Sequence, residues 1–175
     1  MGAMPLRITP ALLALGLAAA SLIGAWVFQY GLGYAPCKLC LLQRWPYYIG
    51  LVLGAGGLIT YGLGHDRTAM AFWALFALTF LVGAGLGIYH AGVEWKYWAG
   101  PTDCGGAFNA MPKQVTDLRA ALATTKVVRC DEAPLRILGL SFAGWNVVVS
   151  LVVAGLAGRA AMGGTGRYGS SSLSQ

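Results

Sequence analysis

The sequence predicts an all-α fold: an integral membrane four-helix bundle with a long third loop carrying a short amphipathic helix. Composition, apolar patterning and a single polar interval predict it. Of the 175 residues, 57% are hydrophobic and only 10% are charged, where an average soluble domain has roughly 25% charged residues. A soluble fold of this size has no means of hiding so much apolar surface. A helix needs about 20 apolar residues to cross a bilayer, and four runs in this chain approach that length. Residues 90–140, between the third and fourth runs, form the one sizeable polar interval. A membrane domain over 1–162 and a tail over 163–175 account for the chain.

The first span, about 10–30, carries no charge from Pro10 to Tyr30. Arg7 ahead of an apolar stretch also suits a cleaved signal peptide, but the stretch is too long for an ordinary h-region and three more spans follow. Tyr34-Ala35-Pro36-Cys37 makes an unconvincing lipoprotein cleavage site. The first loop, Gly31 to Pro46, is short and holds Cys37-Lys38-Leu39-Cys40 at its far end, against the start of the second span at 47–64. Gly64-His65-Asp66-Arg67 reads as a tight turn into the third span, 68–89. The long third loop opens with Glu94-Trp95-Lys96-Tyr97-Trp98, a charged and aromatic cluster suited to the headgroup layer. Within it, Met111, Val115, Leu118 and Leu122 recur on one helical face, with Asn109 and Pro112 as a start signal. That helix either lies flat on the membrane or caps the bundle. The fourth span, 141–158, extends upstream through Ile137, Leu138 and Leu140. Gly50 with Gly54, and Gly83 with Gly87, let helices approach closely, and Asn146 and Ser150 read as interhelical hydrogen-bonding groups. Residues 163–175 are low-complexity and read as disordered, with no assigned role.

The net charge of +6 does not imply nucleic-acid binding. Lys96, Lys113, Arg119, Lys126, Arg129 and Arg136 share the third loop with Glu94, Asp103, Asp117, Asp131 and Glu132. That mixture reads as a solvated face. With Lys38 and Arg44, the cysteine-bearing side carries more basic residues than the side of Arg7, Arg67, Arg159 and Arg167. The positive-inside rule taken literally would make the cysteine side cytoplasmic. Loop 3 is near the length where that rule fades, and disulfides persist mainly in oxidising compartments. The cysteines are therefore expected outside.

Four spans open loops 1 and 3 on one face, so Cys37, Cys40, Cys104 and Cys130 share a compartment. Four thiols there, two of them in a C-x-x-C, point to electron transfer by thiol–disulfide exchange. Haem attachment would need a histidine at 41, where leucine stands. Zinc would want four converging ligands, and the wide spacing of the second pair does not suit it; no metal is expected. Structural disulfides remain the plain alternative, and four cysteines allow three pairings. Arg44, four residues after Cys40, shares its face if the second helix begins there. A guanidinium favours the thiolate and is costly at a membrane boundary without a partner. It is also fit to bond a ligand carbonyl. His90 ends the third span on the cysteine side and is a candidate ligand contact; His65 is a turn residue on the other face.

Cys-Lys-Leu-Cys-Leu-Leu-Gln-Arg at 37–44, four spans and two further cysteines in a long third loop resemble the bacterial disulfide-bond formation DsbB family. So does the stretch from Cys130-Asp131-Glu132 through Leu138-Gly139-Leu140 to Trp145. The resemblance covers roughly residues 10–160; Pro46 and Gly105-Gly106 are departures from it. It implies a multi-pass enzyme of the bacterial inner membrane with its cysteine loops in the periplasm, a thiol:quinone oxidoreductase that reoxidises a soluble DsbA-like dithiol oxidase. By that likeness, the partner's thiolate attacks Cys104 and Cys130 is displaced. Electrons then pass to Cys37–Cys40, with Cys37 exchanging with the loop. Cys40 would lie against a ubiquinone or menaquinone, Arg44 would contact it, and His90 aligns approximately with a histidine near the quinone. Two other readings compete: a reductase resembling the vitamin K epoxide reductases, whose C-x-x-C usually lies near a late helix, and a membrane scaffold braced by disulfides.

Overall fold

The computed structural model describes residues 8–101, 130–133 and 135–162. Cys104, Gly105-Gly106, the amphipathic segment 111–122 and the tail 163–175 lie outside the described residues. Helix α1 spans Ile8–Trp26 and runs into a π-helical turn, Val27–Gly31. A short helix α2, Lys38–Leu42, precedes α3 at Trp45–Gly62. Helix α4 spans Asp66–Glu94, and α5 spans Phe142–Met162. Strands β1, Arg136–Ile137, and β2, Leu140–Ser141, pair antiparallel just before α5.

The four long helices form a ring in which α3 lies between α1 and α4, and α5 between α4 and α1. By length and apolar composition, the segments 8–31, 66–94 and 142–162 are each able to cross a membrane. Helix α3 is not among them. At 18 residues, it gives several positions to Gly50, Gly54, Gly56 and Gly57, and its ends to Trp45, Tyr47, Tyr48 and Tyr61. It nevertheless completes the bundle.

The bundle is apolar on its outer surface, as a bilayer solvent demands. Leu13, Ile23, Val52, Ile59, Leu78 and Leu151 are exposed, while Ala11, Ala14, Ala18 and Leu22 form the buried stripe of α1. Small residues there let α1 approach α3 and α5, since packing rather than water expulsion joins helices in lipid. The rings of Phe76, Phe80 and Tyr47 fill the centre, with Tyr47 and Phe80 edge to face at 5.1 Å. Gly54 is one of the points where that packing is tight. A Cβ there would lie 2.6 Å from Leu15 Cδ1 and 3.1 Å from Phe76 Cε2. Gly54→Val is expected to destabilise the bundle by about 1–3 kcal/mol, the usual range for overpacking. Gly16→Ala, which meets no atom within 4 Å, is the neutral control; thermal unfolding in detergent separates the two.

Several boundaries depart from sequence expectation. The second helix does not begin at the cysteine pair and run on through Arg44. Gln43 and Arg44 interrupt it, and Pro46 sits in the first turn of α3, where its missing N–H costs nothing. Asp66 and Arg67, expected in a turn, belong to the first turn of α4. The actual turn contains Gly64, whose φ of +79° suits glycine. Ile137, Leu138 and Leu140, expected to extend the fourth span, form a hairpin instead. Leu138 and Gly139 both have positive φ, 52° and 84°, as a two-residue type I′ turn requires. Helix α4 continues a full turn past 90, so His90 lies inside it rather than at its end. As a result Glu94, expected in a solvated face, is buried.

Candidate functional site

Cys37 caps the N-terminus of α2, and its sulfur accepts the Cys40 backbone N–H at 3.2 Å. That turn brings Cys40 Sγ to 2.7 Å from Cys37 Sγ. Two thiolates on one tetrahedral zinc, at about 2.3 Å each, stand about 3.8 Å apart. Although Cys37, Cys40 and His90 offer donor atoms within 4.8 Å of one another, the sulfurs are spaced for reaction with each other rather than for a shared ion. Cys130, next to Asp131 in the segment leading back to α5, packs with Cys37, Leu39, Val93 and Cys40 in one buried cluster. Lys96 bonds Asp131 at 2.5 Å outside this cluster.

Helix α4 supplies the imidazole. His90 is almost wholly buried; its Nε2 lies 3.7 Å from Cys37 Sγ, and its Nδ1 lies 2.6 Å from Gln43 Nε2. One turn later, Glu94 Oε1 stands 3.8 Å from the same Nε2. Both are neighbours on one helical face, as residues four apart must be.

The cysteine pair lies in the connecting segment, outside the long helices, and its two thiols differ sharply. The hydrogen bond to Cys40, followed by burial, pushes Cys37 up to about 12. The same hydrogen bond, donated by Cys37, lowers Cys40 below its ordinary value against the opposing effect of burial. Of the two thiols in the reduced pair, Cys40 therefore ionises first and Cys37 keeps its proton longer. Sequence reasoning assigned that thiolate to Arg44; the structure assigns it to the neighbouring thiol. Iodoacetamide is expected to modify Cys40 before Cys37 in the reduced protein. Cys40 reactivity falls away as pH drops through its lowered pKa, while Cys37 stays protonated to alkaline pH. Peptide mass mapping across pH reads both.

Cys40, but not Cys37, lines a cavity of about 300 Å³ formed between α1, α3, α4 and α5. Phe28 and Phe142, edge to face at 4.9 Å, make part of its apolar wall. Among its polar side chains are Gln29, Gln43, Arg44, Tyr47, His90 and Asn146. An apolar cavity of a few hundred Å³ with a few convergent polar groups is the usual form of a small-molecule site. Arg44 donates to Gln29 Oε1 on the π-helical turn, with the Ala25 carbonyl also in reach. That turn widens the end of α1 and turns Gln29 to the cavity. Asn146 accepts from Tyr47 Oη at 2.7 Å and donates to Gly83 O at 3.3 Å. It joins α3, α4 and α5, as expected, and also faces the cavity.

Of the sequence candidates, Cys37, Cys40, His90 and Cys130 come together, with Arg44 on the cavity wall against the end of α1. Cys104 lies outside the described residues. Gln29, Gln43 and Glu94 escaped the sequence reading. The signal for Glu94 was its four-residue spacing from His90. Gln43 was the uncharged polar residue between an apolar pair and Arg44, but Gln29 gave no sign.

A helical membrane bundle that holds a C-x-x-C against a third cysteine and beside a cavity between its helices defines a membrane protein of thiol–disulfide chemistry. The family model described as disulfide bond formation protein DsbB matches residues 7–160. Disulfide bond formation protein B 1 of Pseudomonas putida is 34% identical over 149 residues, covering 82% of this chain and 83% of that protein. Disulfide bond formation protein B 1 of Pseudomonas fluorescens is 31% identical, covering 81% and 82%. Disulfide bond formation protein B of an Acidovorax species is 29% identical, covering 72% and 71%. No solved structure matches. The chain belongs to the DsbB family of disulfide-bond-forming membrane oxidoreductases.

Proposed function

We propose that the chain is a thiol:quinone oxidoreductase of the bacterial inner membrane, which reoxidises a soluble DsbA-like periplasmic dithiol oxidase and delivers the electrons to ubiquinone or menaquinone. One observation carries this reading: Cys40 belongs both to the reactive sulfur pair and to the wall of the cavity. The cavity's chemistry fits a quinone. Phe28 and Phe142 suit the faces of a ring, and Arg44, Gln29 and His90 suit its carbonyl oxygens. A quinone bound there would supply a two-electron, two-proton acceptor soluble in the membrane. A DsbA-like partner is strongly oxidising, at about −120 mV, so its reoxidation calls for an acceptor stronger than an ordinary protein disulfide.

The chain's own residues divide the work. Cys104 takes the partner's thiolate in a mixed disulfide and Cys130 leaves as a thiol. Cys130, packed against Cys37, then passes the oxidising equivalent between the loop and the Cys37–Cys40 pair. Cys40, with the lower pKa, keeps negative charge at the cavity. Arg44 orients and polarises a carbonyl oxygen, and the apolar wall excludes water. Purified protein supplied with reduced partner is expected to reduce a short-chain ubiquinone analogue. A Cys130→Ser variant should trap the partner on Cys104. In spheroplasts, an impermeant maleimide should label reduced Cys37, Cys40, Cys104 and Cys130 from the outer face. Labelling from opposite faces would end this assignment.

A further inference from the structure

Among the described residues, Glu94 is the one buried carboxylate at the centre that this relay leaves unused. Its side chain is 3% exposed. Its Oε2 is buried with no hydrogen-bond partner among the described residues. Withdrawing such a group from water without full hydrogen bonding is costly, and a carboxylate inside a membrane bundle usually has a task. Its position suggests the task. His90 Nε2 lies between two groups that exchange protons, 3.7 Å from Cys37 Sγ and 3.8 Å from Glu94 Oε1. Gln43 ties the opposite ring nitrogen. The Gln43 amide nitrogen is placed toward Nδ1; with that amide turned half a revolution, its oxygen accepts an Nδ1–H, and Nε2 keeps a lone pair that can take a proton. His90 also lines the cavity, so the imidazole faces the dithiol and the acceptor site at once.

We propose that Glu94 is a positioning residue for proton transfer: it holds His90 and balances the charge formed when His90 takes the Cys37 proton and passes it toward the cavity. The identity of the acceptor rests on the quinone reading above. The step balances. With Cys40 ionised, the reduced pair holds one proton, on Cys37. As the Sγ–Sγ bond forms, the Cys37 S–H bond breaks, its proton moves to His90 Nε2, and two electrons leave through Cys40 into the cavity. Reduction of a quinone to a quinol consumes two protons, one relayed from Cys37 and one equivalent to that released when Cys40 ionised. The titratable groups facing this centre are Cys37 and Cys40 beside α2, His90 on α4, and Cys130 from the returning segment. Arg44 lies on the cavity side, and the Lys96–Asp131 pair lies outside.

The test uses Glu94→Gln and Glu94→Asp in the full-length protein in detergent. In quinone-stripped, reduced protein, the ultraviolet absorbance of the Cys40 thiolate is expected to develop at lower pH in Glu94→Gln than in wild type, because a negative neighbour has gone. Glu94→Asp keeps the wild-type profile. With a ubiquinone analogue, Glu94→Gln lowers kcat by about tenfold or more, within the range for an assisted proton transfer, and leaves KM unchanged. The deficit grows with pH, and aspartate restores most of the rate. Glu94→Leu, which suits a buried site, gives the same readouts should the glutamine variant not fold. An unchanged thiolate profile, or a rise in KM in place of the fall in kcat, overturns the proposal. A wild-type protein that reduces no quinone would sink the acceptor assignment, while the quinone-free arm would still judge Glu94.

Discussion

Cys40→Ser is expected to abolish electron transfer to a quinone analogue, by at least about three orders of magnitude, the scale on which loss of a covalent nucleophile acts. Two features of the site require so large an effect. Serine cannot form the sulfur–sulfur bond whose closure releases the electron pair. It also removes the group that holds negative charge in the cavity wall, since the Cys40 pKa is lowered by the hydrogen bond from Cys37. The fold should survive, because Cys40 lies in the short α2 segment rather than in the packed rings of the bundle. Unfolding temperature and helical content are therefore expected to match wild type while turnover is lost. The same substitution should bring Cys37 back toward an ordinary thiol value, because the hydrogen bond to Cys40 is the largest cause of its rise. Alkylation of Cys37 would then begin at lower pH than in the wild-type protein. Normal quinone reduction by Cys40→Ser would remove the basis for the proposed relay.

Arg44→Met is expected to raise the KM for a quinone analogue by about 10- to 100-fold, corresponding to the roughly 1.5–3 kcal/mol of a hydrogen bond to a charged group. Disulfide exchange between the partner and the protein's own cysteines should continue at nearly the wild-type rate in quinone-free protein. The separation follows from geometry. Arg44 lines the cavity and donates to Gln29 on the π-helical turn, whereas the contacts of Cys37 run to Cys40, His90 and the Cys130 cluster. Arg44→Lys should recover only part of the loss, because a lysine lacks the planar fork that can bond Gln29 and a ligand oxygen together. If Arg44→Met leaves KM unchanged and only lowers the unfolding temperature, the arginine serves to tie α1 to α3 and not to recognise a ligand.

Membrane residence was written in the local sequence. Apolar runs and a shortage of charge report directly on the solvent, and a bilayer accepts little else. The C-x-x-C was equally legible, since a turn of helix brings residues three apart together wherever the chain goes. Even so, a shared helical face for Cys40 and Arg44 depended on a helix start that the break at Gln43-Arg44 removes, and Ile137, Leu138 and Leu140, expected to extend the fourth span, form a hairpin. Apolar content continues across both, and only the positive φ values of Leu138 and Gly139 and the start of α3 at Trp45 mark them.

Residue types, the approximate crossings and the closeness of Cys37 to Cys40 were thus determined by sequence alone. The meeting of Gln43 with His90, the burial of Glu94, the opening of Gln29 toward Arg44 and the cavity between α1 and α5 were decided by tertiary packing. His90 and Cys37 are 53 positions apart, and no local periodicity encodes which turn of α4 will face α2. That register depends on how small residues let the helices close on one another. Gly54 under Leu15 and Phe76, and Gly87 against Ala143 and Val147, set those approaches, and a rotation of α4 by about two residues would turn the imidazole and the carboxylate away from Cys37.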